Sequence, residues 1–171
     1  VIESRGLGDV YKRQDQTRKL AKLMFTDVEA TCISSEDDVT EAMQKTFLKS
    51  CIGLSNEMVG GAERLREDTL EYVKMRMQFG RSIASFQVTK HKATDMLADV
   101  ELAKSAAYYA AAAFDDGESD IAATASIAKA SASEAYMQTA INAVQMHGGI
   151  GFTWDNDCLL YTSPSPRDSM T

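Results

Sequence analysis

Two short segments carry the side chains best suited to holding a ligand. YVKMRMQFGRSIASFQ, residues 72–87, closes one helical pattern and opens the next, which gathers Arg76, Gln78, Phe79 and Gln87 around a tight corner. A guanidinium, a planar amide and an aromatic ring at helix ends suit a phosphate joined to a flat ring system. The same residues also describe a plain helix–turn–helix corner with Gly80 as its C-cap glycine. The second segment, AVQMHGGIGFTW, residues 143–154, holds Gly148, Gly149 and Gly151. Glycines so close together let a ligand approach the backbone. GGxG is neither a Walker nor a Rossmann fingerprint, so a Gly-rich helix terminus explains the segment equally well.

Other chemistries find no constellation. His91 and His147 lie far apart and form no HExxH motif, and no GxSxG elbow is present. Glu36, Asp37, Asp38 and Glu41 cluster at a helix start, where the helix dipole accounts for them. Glu63, Glu67 and Glu71 recur every fourth position, the pattern of a solvated face. We therefore expect no catalytic residue and no metal ligands. A net charge of −7 argues against nucleic-acid binding through a basic face. No run of residues is apolar enough for a membrane span. Cys32, Cys51 and Cys158 are an odd, dispersed set, which with no secretory leader pattern points to a reducing cytoplasm.

The elements that must position the two segments are long helices. Both prolines, Pro164 and Pro166, lie close to the C-terminus, so no proline interrupts residues 1–163. Ser34 or Ser35 can cap a helix whose apolar stripe runs through Val39, Met43, Phe47, Leu54, Met58, Ala62, Leu65, Thr69 and Val73. Gly53, Gly60 and Gly61 interrupt it, and their tolerance implies another backbone packed close. A second stripe uses Phe86, Ala93, Met96, Leu97, Val100, Ala103, Ala107, Ala110, Ala111 and Phe114. It stops at Gly117, with Ser119 or Asp120 as the next N-cap. A third follows Ile121, Ala125, Ala128, Ala132, Ala135, Thr139, Ala143 and Met146. Residues 19–30 alternate loosely and suit a short strand. The expected fold is all-α: an antiparallel up-down bundle of three long helices, an incomplete four-helix bundle, with a short β remnant near the N-terminus.

RxQFGxxIxxFQ, residues 76–87, followed by QMHGGIGFTW, residues 145–154, resembles the C-terminal helical domain of the acyl-CoA dehydrogenases. VGGAERLREDTLEYVKMRMQFG looks like the first helix of that domain, and KHKATDMLADVELAKSAAYYAA like its second. The resemblance covers residues 36–157. Residues 15–35 are similar, more distantly, to the last strand of the family's central β-domain. GDVYKRQ and CLLYTSPSPRDS resemble translated linker sequence, so residues 1–14 and 158–171 are expected to be non-native tails, with native chain missing on both sides.

The resemblance implies an FAD flavoprotein, a homodimer or homotetramer, that dehydrogenates acyl-CoA thioesters in the manner of fatty-acid β-oxidation. It passes electrons to an electron-transfer flavoprotein. By the same carry-over, Arg76 pairs with the FAD pyrophosphate and Gln78 and Phe79 lie along the cofactor. Phe86 and Gln87 open the next helix against it, while Gln145 and the His147-Gly148-Gly149 backbone approach from a second subunit. The family's glutamate base lies downstream of the GGxG segment or, in some members, on the first bundle helix. The corresponding place here is near Ser50, whose hydroxyl is no such base. The rival readings are an acyl-CoA oxidase, a flavin monooxygenase relative, and a helical interaction module with no cofactor.

Overall fold

A computed structural model of the chain describes residues 25–29, 31 and 36–153. The expected tails, most of residues 15–35 and the capping serines lie outside the described residues. Of the expected strand, Phe25–Glu29 are described, and they form a bend rather than a strand.

Three helices dominate: α1 (Glu36–Met75), α2 (Gln87–Asp116) and α3 (Ile121–His147). A hairpin of two-residue strands, β1 (Met77–Gln78) and β2 (Arg81–Ser82), and a 3-10 turn at Ile83–Ser85 join α1 to α2. A second 3-10 turn, Gly148–Phe152, follows α3. The core is built in levels. Ile52 packs with Ala110, Ala125 and Ala128; Val59 with Ala103, Ala107, Ala132 and Ala135; Leu65 with Met96, Ala140 and Ala143. Numbers that rise along α1 fall along α2 and rise again along α3, so the bundle runs up, down, up. All three helices touch one another. Alanine at most buried positions of α2 and α3 brings the helix axes close, since no long side chain separates them.

Gly117 ends α2 as expected. It sits at φ 70°, and the Gly117 and Glu118 N–H groups donate to the carbonyls of Phe114 (3.3 Å) and Ala113 (3.0 Å). That is a Schellman closure, which satisfies carbonyls the helix leaves open. Asp120 then takes the N-cap position of α3, although its side chain makes no capping hydrogen bond.

The stripe expected on α1 holds only in its second half. The buried line is Ile52, Ser55, Val59, Ala62, Leu65, Thr69 and Val73, whereas Val39, Met43, Phe47 and Leu54 are exposed. Two causes act together. A step of four residues advances 40° past a full turn, so the walk from 39 to 47 leaves the core side. In addition, the α2–α3 connection lies beside Leu48 and Ile52, so the first three turns of α1 project about 18 Å beyond their neighbours. The helical glycines also differ from expectation. Only Gly61 is crowded, and by a ring rather than a backbone: a Cβ there would meet Tyr136 Cε2 at 2.8 Å. Gly53 and Gly60 face open space in this chain.

Candidate functional site

The corner between α1 and α2 is more elaborate than a C-cap glycine. α1 stops at Met75 because the chain turns back at once: Met77 pairs with Ser82 and Gln78 with Arg81. The two residues between, Phe79 and Gly80, have φ of 53° and 76°. Positive φ at both central positions defines a type I′ hairpin turn, which glycine adopts freely and phenylalanine does not. Ser82 secures the corner. Its hydroxyl reaches the Val73 carbonyl at 2.8 Å and the Lys74 carbonyl at 2.9 Å, and accepts from the Ala84 N–H at 3.3 Å. Open carbonyls of α1 and an open amide of the next turn are thus served by one side chain. The Phe79 ring, 92% exposed, meets Phe86 edge-on at 6.3 Å, and the Arg81 guanidinium lies 4.0 Å over the Phe86 ring.

The end of α3 forms the opposite wall. His147 is buried, stacked on Tyr72 of α1 at 4.4 Å, with Nδ1 2.8 Å from the Ala143 carbonyl. A carbonyl only accepts, so Nδ1 carries the hydrogen. The Tyr72 hydroxyl donates to the His147 carbonyl at 3.4 Å. Gly148 then breaks the helix at φ 67° and ψ −141°. The turn folds back so tightly that a Cβ on Gly151 would sit 3.0 Å from the Val144 carbonyl oxygen, while Gly148 and Gly149 face open space.

Between these walls lies a cleft of about 460 Å³, within the range of small-molecule sites. Tyr72, Arg76, Gln78, Ile83, His147 and the Gly148-Gly149 backbone line it. The two sequence segments therefore converge on one face of one chain. The remaining expected residues do not line the cleft. Phe79 and Phe86 form the aromatic pair of the hairpin, Gln87 is exposed at the start of α2, and Gln145 faces α2, where Lys92 Nζ donates to its Oε1 at 2.6 Å. Arg76, Arg81, Lys90 and Lys92 sit at this end of the bundle, a local positive charge on an acidic chain.

Tyr72, Ser82 and Lys92 were not singled out from the sequence. Tyr72 stands four residues before Arg76, one helical turn away, and that spacing is the signal that finds it. Ser82 and Lys92 act only through partners that folding brings near.

The model of the acyl-CoA dehydrogenase C-terminal domain matches residues 40–162. The chain belongs to the acyl-CoA dehydrogenase family. Acyl-CoA dehydrogenase IpdE2 of Mycobacterium tuberculosis is 36% identical over 147 residues, covering 86% of this chain and 42% of the relative. The structure of butyryl-CoA dehydrogenase from Megasphaera elsdenii aligns with a TM-score of 0.63 at 33% identity, over 65% of this chain and 29% of that one. An FAD complex of PigA aligns with a TM-score of 0.60 at 34% identity, over 63% of this chain and 28% of that one. The chain thus spans less than half the length of the acyl-CoA dehydrogenases it matches. Among the described residues, no helix is long and apolar enough to cross a membrane.

Proposed function

We propose that this chain is the cofactor-facing helical domain of an FAD-dependent acyl-CoA dehydrogenase. The observation that carries the reading is the convergence of Arg76, Gln78 and the open Gly148-Gly149 backbone on one cleft. Its donor set fits FAD. A guanidinium suits the pyrophosphate as a charge-assisted, bidentate partner worth about 1.5–3 kcal/mol. The Gly148-Gly149 backbone lies where no side chain keeps a ligand away, and the Phe79 ring is available to cover a flat ring system. Similarity to an FAD complex supports the same group.

When bound, FAD would supply the hydride acceptor for α,β-dehydrogenation of an acyl-CoA thioester, with electrons leaving to an electron-transfer flavoprotein. This chain's part is to bind and orient. Arg76 holds the anionic middle of the cofactor, the Phe79-Gly80 tip shields one side, and the stacked Tyr72–His147 pair sets the floor. No residue is assigned as base: Ser50 is exposed, and its hydroxyl donates to its own helix at the Thr46 carbonyl, 2.8 Å away. We assign residues 36–157 to the bundle domain, residues 15–35 to the end of the β-domain before it, and the corner to FAD shared within a homo-oligomer.

The test uses the full-length protein that carries this domain. It should purify with bound FAD, and an acyl-CoA thioester should bleach the flavin anaerobically. Arg76→Ala should lower FAD retention about ten-fold or more, the equivalent of at least about 1.4 kcal/mol. A full-length protein that neither retains nor takes up FAD would sink the reading in favour of a cofactor-free interaction module.

A further inference from the structure

Lys92, half-buried on α2, ties that helix to the end of α3. Its Nζ donates to Asn142 Oδ1 at 2.9 Å and to Gln145 Oε1 at 2.6 Å. An ammonium group has three hydrogens and no lone pair, so both amides must turn their oxygens toward it. Their orientation is thereby set by chemistry. Gln145 is exposed, and once its oxygen is held by Lys92 its NH2 group, with two donors, is directed away from Lys92. Without that restraint the amide could present either end to solvent.

We propose that Lys92 is a positioning residue that locks Gln145 as an outward-facing hydrogen-bond donor for an acceptor atom of the bound cofactor. Lys92 acts through Gln145 and does not touch the cofactor: two of its three hydrogens are already engaged. The acceptor is of the kind an anionic nucleotide offers, a phosphate oxygen or a ring nitrogen. The position of Gln145, one turn before the Gly148-Gly149 backbone, suits it for that part. The inference rests on the reading of this end of the bundle as the FAD surface.

The experiment is an FAD titration of the full-length apoprotein, followed by flavin fluorescence, with thermal melting to verify folding. Lys92→Met and Gln145→Ala should each raise the Kd about ten-fold, and Lys92→Arg should recover most of the loss. The double variant should be no weaker than Gln145→Ala alone, because the ammonium has nothing left to orient. Gln145→Glu, which keeps the contact to Lys92 but has no donors, should match Gln145→Ala. An unchanged Kd in Lys92→Met, or losses that multiply in the double variant, would overturn the proposal. If Lys92→Met does not fold, tight FAD binding by Gln145→Glu overturns it instead. A wild-type protein that binds no FAD overturns the reading of the whole surface and this inference with it.

Discussion

Phe79 is where backbone cost and ligand chemistry meet. A bulky residue at φ 53° costs on the order of 1 kcal/mol, and this one also leaves its ring in water. Asparagine is far more at ease in a type I′ turn. Phe79→Asn should therefore raise stability by about 0.5–1 kcal/mol while weakening FAD retention, read by melting and by flavin content on the same sample. A variant that gains stability and keeps its flavin would detach the ring from the cofactor. Ser82 makes the opposite prediction. Ser82→Ala should lose about 1–2 kcal/mol, because the Val73 and Lys74 carbonyls and the Ala84 amide all lose a partner. An unchanged melting temperature would show that water serves them equally well. The ligand-suited residue types were legible in the sequence, since Arg, Gln, Phe and Gly each announce a chemistry. Ser82 was not, because a serine in a turn announces nothing until its neighbours in space are known.

Among the elements, the second and third helices were read almost residue by residue, and α1 only in part. Buried alanines at three- and four-residue steps leave one choice of face, whereas α1 has apolar residues on more than one side. Gly117 was legible for a local reason, as only glycine closes α2 at φ 70° without penalty. Gly117→Ala should destabilise by about 1–2 kcal/mol, measurable in urea with an unchanged m-value. Between α1 and α2, Lys104 Nζ lies 2.9 Å from Glu63 Oε1. The hydrogen bond to Glu63, then that carboxylate's charge, holds the Lys104 ammonium above the ordinary lysine value of 10.5. A raised folded pKa means the pair stabilises fully below 10.5 and is lost as pH climbs through the folded value. Wild type and Glu63→Gln should therefore differ in melting temperature at neutral pH and converge in strong alkali. A gap that persists there would assign the effect to packing instead.

On the scale of the whole molecule, the first turns of α1 stand clear of the bundle with Met43 and Phe47 each about two-thirds exposed. Apolar surface of that kind is unfavourable in water. The chain expressed by itself should associate as its concentration rises, and Phe47→Glu should reduce that association in light scattering. Equal scattering from both would place the sticky surface elsewhere, for example at Ile127 and Ile141 of α3. By itself the sequence determined the three helices, their breaks at Gly117 and Gly148, and the two ligand-suited segments. Periodicity, capping and side-chain chemistry are local properties, which the order of residues carries directly. Only the tertiary structure decided that Arg76 and the Gly148-Gly149 backbone share one cleft, that Tyr72 and His147 line it, and that Lys92 reaches Gln145. Those facts depend on how far each helix rises and which faces meet, and both are set by packing between residues distant in sequence.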